Sequence, residues 1–288
     1  MKDLAIETRG LEKTYRDFWG RPRAHALRGL DLAVRSGEVF GLLGPNGSGK
    51  STTMKLILGL LRPTRGTATV LGARPDDVRA KARIGYLPEE SPFYPHLTAE
   101  ETLAFYGRLF SLPGAEIRRR SADLLRLVGL ERDRHRRVGV FSKGMLRRIG
   151  LAQALINEPS LLILDEPTAG MDPLGAREFK DLILDLKKAG KTVVLSSHLL
   201  GEVEDICDRV AVLHQGSLLA LGELSTLLAD DRRTQIITDK LSPGTIEDLI
   251  RLLRDREGPG IKVDVGAPSA RLEAFFIRIV SAASEKAS

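Results

Sequence analysis

Eight consecutive residues restrict what this chain can fold into more than any other feature. Gly44-Pro-Asn-Gly-Ser-Gly-Lys-Ser51 fits the pattern G-x-x-x-x-G-K-[ST] and stands between a short apolar run, Val39–Leu43, and a helix-forming run, Thr52–Leu61. A strand that turns at once into a helix needs residues without a Cβ in the turn, and Gly44, Gly47 and Gly49 supply them. The amides of such a loop, completed here by Pro45, Asn46 and Ser48, curl around phosphate oxygens, and the helix opening near Thr52 adds the positive end of its dipole. Lys50 is then expected on the β- and γ-phosphates of a nucleotide, and Ser51 is expected to offer its hydroxyl to Mg2+. The competing reading, a glycine-rich turn with an incidental lysine, leaves the strand–loop–helix context unexplained.

The rest of the chain supplies the fold in which such a loop works. Short apolar runs rich in β-branched residues recur at Val39–Leu43, Ile84–Leu87, Leu161–Leu164, Thr192–Leu195 and Val210–Leu213, separated by helical stretches. That rhythm predicts an α/β fold, in which unbroken runs such as LLIL are strands buried on both faces. The alternation in Ala68–Leu71 and near the N-terminus predicts strands covered on one side, so the expected architecture is a mixed sheet flanked by an antiparallel portion. Between Thr98 and Pro159 no strand pattern occurs. Ala99–Phe110, Ile117–Val128 and Gly144–Asn157 read as helices, which makes residues 95–158 an inserted helical subdomain. After Gly222 the pattern restarts as strand Gln235–Thr238, helix Ile246–Arg254, strand Ile261–Val265 and helix Ala270–Ala283. The expected division is therefore a nucleotide-binding domain over residues 1–222 and a small α+β accessory domain over 223–288.

Composition narrows the setting. The balance of 44 Lys+Arg against 38 Asp+Glu gives only +6 over 288 residues, too mild for a dedicated nucleic-acid binder. The single Cys207 excludes an internal disulfide framework and agrees with a reducing compartment. Asp3, Glu7 and Arg9 interrupt the N-terminal segment, so a secretory signal is not expected. No stretch approaches the roughly 20 apolar residues of a membrane-spanning helix, so any membrane role needs a separate partner.

Two further strand ends carry chemistry. Leu161-Leu-Ile-Leu-Asp165-Glu166 places adjacent carboxylates at the C-terminal end of a buried strand, where an open α/β sheet holds its ligands. Asp165 is the expected Mg2+ partner. Glu166 points the other way and is placed to orient or deprotonate a water attacking the γ-phosphate. His198 follows a third such strand and is expected beside that phosphate.

With these residues in view, the chain from about Leu4 to Gly222 resembles the nucleotide-binding subunits of ABC transporters. The resemblance rests on seven motifs in family order: Tyr15 in Leu-Glu-Lys-Thr-Tyr, the phosphate loop, Ile84-Gly-Tyr-Leu-Pro-Glu89, Phe141-Ser-Lys-Gly-Met145, Asp165-Glu166, Asp172 in Gly-Met-Asp-Pro, and His198. It implies that Tyr15 stacks on adenine, and that two ATPase subunits, in a homodimer or a heterodimer, enclose two ATP molecules. Each ATP would lie between the phosphate loop of one subunit and the Ser142-Lys143-Gly144-Met145 signature of the other. The usual signature is Leu-Ser-Gly-Gly-Gln, and this chain keeps its serine and second glycine. Ser142 reads as the N-cap of the helix that follows, making a second anion-seeking helix end. Glu89 replaces a glutamine that senses Mg2+ and the attacking water, and a carboxylate there still binds the metal.

Leu-Pro-Glu-Glu with Phe-Ser-Lys-Gly-Met resembles the subgroup that serves exporters with separately encoded membrane subunits. The expected partner is thus a transmembrane permease docked near Glu89–Thr98, and the expected location is the cytoplasmic face of the cell membrane. No direct nucleic-acid contact is expected. The alternative is a non-transport ABC ATPase acting on nucleic acid or ribosomes, which usually has two ATPase units or a long coiled coil. A regulatory module without hydrolysis is disfavoured by the intact Glu166 and His198. The arginine clusters Arg118–Arg120 and Arg132–Arg137 read as solvated surface before they read as lipid-facing. Trp19 is expected to pack under the loop after Tyr15, and Cys207 to be a small packing residue.

Overall fold

The computed structural model describes residues 3–198, 200–228 and 241–258. Its N-terminal half contains β1 (Leu4–Arg16), β2 (Pro22–Arg35), β3 (Val39–Leu43), α1 (Lys50–Ile57), β4 (Arg65–Val70), α2 (Val78–Lys81) and β5 (Ile84–Leu87). Three helices follow, α3 (Ala99–Leu109), α4 (Gly114–Leu127) and α5 (Lys143–Leu155), with two short 3-10 turns between the last two. The chain returns to strand and helix alternation with β6 (Leu161–Leu164), α6 (Pro173–Lys188), β7 (Thr192–Ser197), α7 (Leu200–Glu204), β8 (Arg209–His214), β9 (Ser217–Glu223), α8 (Leu224–Leu227) and α9 (Pro243–Glu257).

The main sheet has the order β5-β6-β7-β3-β8-β9, and all pairs are parallel except β8 with β9. Alternate residues of its strands divide between two cores. Val39, Leu43, Leu162, Leu164, Val193 and Leu195 pack with the inserted helices and α6. Phe40, Leu42, Leu161, Ile163 and Val194 pack with α1 and the antiparallel sheet β2-β1-β4. A sheet covered on both faces needs apolar residues at every position, which is why its central strands read as unbroken runs.

The predicted strands Val39–Leu43, Ile84–Leu87 and Leu161–Leu164 have the expected bounds, and β7 extends two residues beyond its apolar run to include Ser196 and Ser197. The helix after the phosphate loop begins at Lys50 and stops before Gly59, whose φ of 64° ends it with the Leu60 amide bonded back to the Lys55 carbonyl. The insertion is helical as expected, and Thr98 opens α3 with a capping box to Glu101. Leu224, Leu227 and Leu228 pack against the main core. The expected helix Ile246–Arg254 lies within α9, whereas Gln235–Thr238, Ile261–Val265 and Ala270–Ala283 lie outside the described residues. Among the described residues, no helix is long and apolar enough to cross a membrane.

Two expectations about single side chains resolve differently. Cys207 is buried against Gly41 of β3, and burial pushes its thiol far above the usual range, as suits a packing residue. Trp19 does not pack under its loop: it is 78% exposed and its neighbour Phe18 93% exposed. At the tight β1–β2 turn the two rings lie edge to face at 5.5 Å.

Candidate functional site

Four parallel strands end on the same edge of the main sheet, and each end carries a residue singled out by the sequence. β3 ends at Gly44, β5 at Pro88-Glu89, β6 at Asp165-Glu166 and β7 at Ser197-His198. The register pairs Leu43 with Ser197, Leu164 with Leu195 and Leu87 with Leu164, so these ends lie side by side.

The phosphate loop is shaped by close backbone approaches. A Cβ on Gly44 would lie 2.3 Å from the Leu213 carbonyl oxygen and 2.4 Å from Ser48 Oγ, and one on Gly49 would lie 2.7 Å from the Ala26 oxygen. Gly49 also has φ 109°, a left-handed conformation that glycine adopts without strain. Neighbouring turns brace the loop: the Gly216 amide donates to the Ser48 carbonyl, and the Arg28 amide donates to Gly216. Inside it, the buried Ser48 hydroxyl makes no hydrogen bond among the described residues, so a polar group remains available within the cradle. Pro45 accepts the Ser48 amide, and Gly47 has open space around its Cα at φ 79°. Asn46 completes the turn, and Ser51 lies exposed on the first turn of α1.

Lys50 is buried, and its Nζ donates to the Gly44 carbonyl at 2.6 Å and lies 3.9 Å from Glu166 Oε1. Burial pulls its ammonium below the ordinary lysine value, against the opposing pull of Glu166, Asp165 and Glu89. Those three acids therefore share a field with the phosphate-loop lysine.

The carboxylate pair is held by a residue the sequence argument passed over. Ser196 Oγ donates to Asp165 Oδ1 at 2.6 Å and accepts the Glu166 amide at 2.9 Å, so one buried hydroxyl fixes both acids. Glu166 stands at φ 48°, an unfavourable backbone for a residue with a Cβ. Its Oε2 lies 2.7 Å from Nδ1 of His198, whose side chain is half-exposed. Lys50, Asp165, Glu166 and His198 thus form one connected cluster.

Arg147 was also missed. It lies on the buried face of α5, donates to the Pro88 carbonyl at 2.7 Å, and feels the charges of Glu89, Asp165, Glu166 and Glu90 while burial lowers its own value. Gly85 and Gly150 let α5 sit directly on β5 and the segment that follows, since Cβ atoms there would strike Ala154 O and Leu87 Cδ1. Nothing in one sequence marks an arginine on a helix as buried.

The remaining residues are placed apart from that cluster. Tyr15 lies at the rim, its hydroxyl 3.4 Å from Thr52 Oγ1 and the Lys13 ammonium 5.5 Å from its ring centre. Ser142 caps α5 by accepting the Met145 amide at 3.2 Å. Asp172 caps α6 through the Gly175 amide, which holds its carboxyl below the usual range. These two caps are neighbours, because the Met171 methyl lies against both Gly144 and Gly175, and Lys143 packs along Gly170. Among the described residues, no hydrogen bond or ion pair joins Ser142, Lys143, Gly144 or Met145 to Lys50 or Glu166.

Comparison with known proteins agrees with this arrangement. The family model described as ABC transporter matches residues 27–169. An uncharacterized ABC transporter ATP-binding protein of Synechocystis is 45% identical over 235 residues, 81% of this chain and 66% of that protein. A fluoroquinolones export ATP-binding protein of Mycobacterium tuberculosis is 43% identical over 79% of this chain and 74% of its own length. Among solved structures, a dimeric ATP-binding cassette in a post-hydrolysis state with ADP and Pi has a TM-score of 0.70 at 27% identity, covering 76% of this chain and 98% of that one. The phosphate loop, the acidic strand end and the fold that joins them therefore place this chain in the ABC transporter family, as one of its ATP-binding, ATP-hydrolysing subunits.

Proposed function

We propose that the subunit drives export through a separate transmembrane permease, by closing head to tail with a second ATPase subunit over two nucleotides. The observation that carries the reading is the cluster of Lys50, Asp165, Glu166 and His198 on the strand-end edge beside a phosphate-shaped loop. Lys50 releases its loop carbonyls to meet the β- and γ-phosphates, Tyr15 stacks on adenine, and Thr52 continues the helix start under the phosphates. Ser51, Asp165 and Glu89 present hard oxygen donors, a set that fits Mg2+. When bound with the nucleotide, that ion supplies charge neutralisation at the phosphate oxygens.

Hydrolysis is assigned to Glu166. Its carboxylate accepts a proton from water as the water oxygen bonds to the γ-phosphorus and the bond to the bridging oxygen breaks, leaving ADP and phosphate. His198 orients that carboxylate through its Nδ1 contact. Ser142, Lys143, Gly144 and Met145 carry a second anion-seeking helix end that, among the described residues, has no hydrogen bond or ion pair to Lys50 or Glu166, and Asp172 lies beside it. A partner subunit's nucleotide would complete that end. Reopening after hydrolysis would reset the permease, docked on the segment Glu89–Thr98, where Tyr94 is 52% exposed and packs edge to face on Phe105. Export follows the activity named for the Mycobacterium relative, and residues 223–288 are assigned to an accessory domain. The subunit is assigned to the cytoplasmic face of the cell membrane, held there by the permease.

Glu166→Gln tests the chemistry. ATP affinity should stay within about twofold while turnover falls by roughly 100-fold or more, the scale of a lost general base. Wild-type turnover in that variant would remove Glu166 from the role.

A further inference from the structure

We propose that the tip of the β1–β2 hairpin is a membrane-interface anchor, presenting Phe18 and Trp19 to the headgroup layer of an anionic bilayer. The two rings are 93% and 78% exposed, and they form an edge-to-face pair that, among the described residues, stacks on no other ring. Large rings left this open on a folded surface mark a contact site. A phenylalanine beside a tryptophan, whose ring is amphipathic, suits the boundary between water and hydrocarbon.

The turn is built to hold the pair out. Asp17 Oδ1 accepts the amides of both Trp19 and Arg21, Arg16 Nη1 donates to the Gly20 carbonyl, and the Asp17 and Gly20 amides close the turn through the Arg21 and Asp17 carbonyls. The rings are therefore displayed by a closed hydrogen-bonded loop, so little ordering is left to be done on binding.

Charge selects the occupant. From Arg16 to His25 there are three arginines, Arg16, Arg21 and Arg23, and one acid, Asp17, which the turn's own amides already occupy. Arg21 and Arg23 are exposed and form no ion pair among the described residues. Several arginines of the helical insertion are instead paired, Arg119 and Arg120 with Glu116, Arg134 with Glu100, and Arg136 with Asp133, and those left unpaired there have no exposed ring pair beside them at a turn tip. Free cations beside exposed rings are the combination that binds a layer of lipid phosphates.

Trp19 is the only tryptophan of the chain, so its fluorescence reports on the tip alone. The full chain is titrated with phosphatidylcholine vesicles containing phosphatidylglycerol, and with vesicles of phosphatidylcholine alone. The proposal predicts a blue shift and quenching by bromolipid with the anionic vesicles, and little change with the neutral ones. Arg21→Gln with Arg23→Gln should weaken partitioning about 25-fold, at roughly fivefold for each arginine. Phe18→Ser should weaken it while leaving ATP affinity and turnover intact. Emission unchanged by anionic vesicles overturns the proposal, as does a shift that requires a membrane protein in the vesicle. A Phe18→Ser variant that loses ATP affinity but still binds vesicles assigns the pair to adenine and also overturns it. The biological setting rests on the proposed transport role, but vesicle binding is measured without a permease, so the two readings fail separately.

Discussion

Ser196→Ala isolates the element on which the catalytic geometry depends most. The hydroxyl is fully buried and serves two neighbours, donating to Asp165 Oδ1 at 2.6 Å and accepting the Glu166 amide at 2.9 Å. Truncation removes one bond to a charged acceptor, worth about 1.5–3 kcal/mol, and one neutral bond worth about 1 kcal/mol. It leaves the Glu166 amide without a partner inside the protein. A loss of about 2–4 kcal/mol is expected, which lowers Tm by roughly 5–10 °C for a domain of this size. The effect on rate comes through Glu166. Its backbone at φ 48° is a conformation that costs about 1 kcal/mol or more and persists only while neighbours hold it. Without the Ser196 oxygen it can relax, and the carboxylate then leaves its 2.7 Å contact with His198. Turnover should fall about 10- to 100-fold while the KM for ATP stays within about twofold, because the phosphate loop is untouched. Urea or thermal unfolding and steady-state phosphate release measure the two effects. A variant that kept wild-type turnover and lost less than about 0.5 kcal/mol would refute the reasoning.

Other perturbations separate the remaining parts of the site. Gly44→Ala places a methyl 2.3 Å from the Leu213 oxygen and should abolish ATP binding, whereas Gly47→Ala meets no atom and adds only the strain of φ 79°, about 1 kcal/mol; equilibrium nucleotide binding compares the two. Arg147→Met should lower turnover at least about 10-fold with the KM for ATP little changed, because the buried guanidinium holds the Pro88 carbonyl beside Glu89; Arg147→Lys should restore part of it. Burial depresses the Lys50 value, so as pH rises the folded chain loses this proton before the unfolded chain does. The cost of burying the charge is present below the folded value and is relieved between that value and about 10.4. ATP affinity should fall across the same alkaline interval, and affinity that stays flat to pH 10.5 would contradict the assignment.

The sequence displays some of these features and conceals others for physical reasons. β3, β5 and β6 are legible because a strand covered on both faces must be apolar throughout. The strands near the N-terminus are legible as alternation but not in their bounds, since several register shifts between β1 and β2 break the pattern that would reveal their length. The chemistry of Asp165 and Glu166 is legible because they stand directly after a strand, and that of Lys50 because it closes the glycine-rich loop between β3 and α1. Ser196 is hidden because it extends an apolar strand and its role depends on two partners 30 and 31 positions away. Arg147 is hidden because its charge suggests a surface, while Gly85 and Gly150 bring its helix onto β5. Trp19 misled in the opposite sense: its size suggests burial, but Asp17 closes a turn too tight to fold the ring back.

The central proposal is that ATP closes this cassette on a second ATPase subunit, for which a second copy of the chain serves in solution, and that hydrolysis reopens the pair. Sedimentation of the Glu166→Gln full chain, alone, with Mg·ADP and with Mg·ATP, tests it most directly. The account predicts a dimer with ATP only, and return to monomer when Ser142→Arg blocks the second helix end. A Glu166→Gln chain that binds ATP and stays monomeric, or that dimerises equally with ADP, would contradict it.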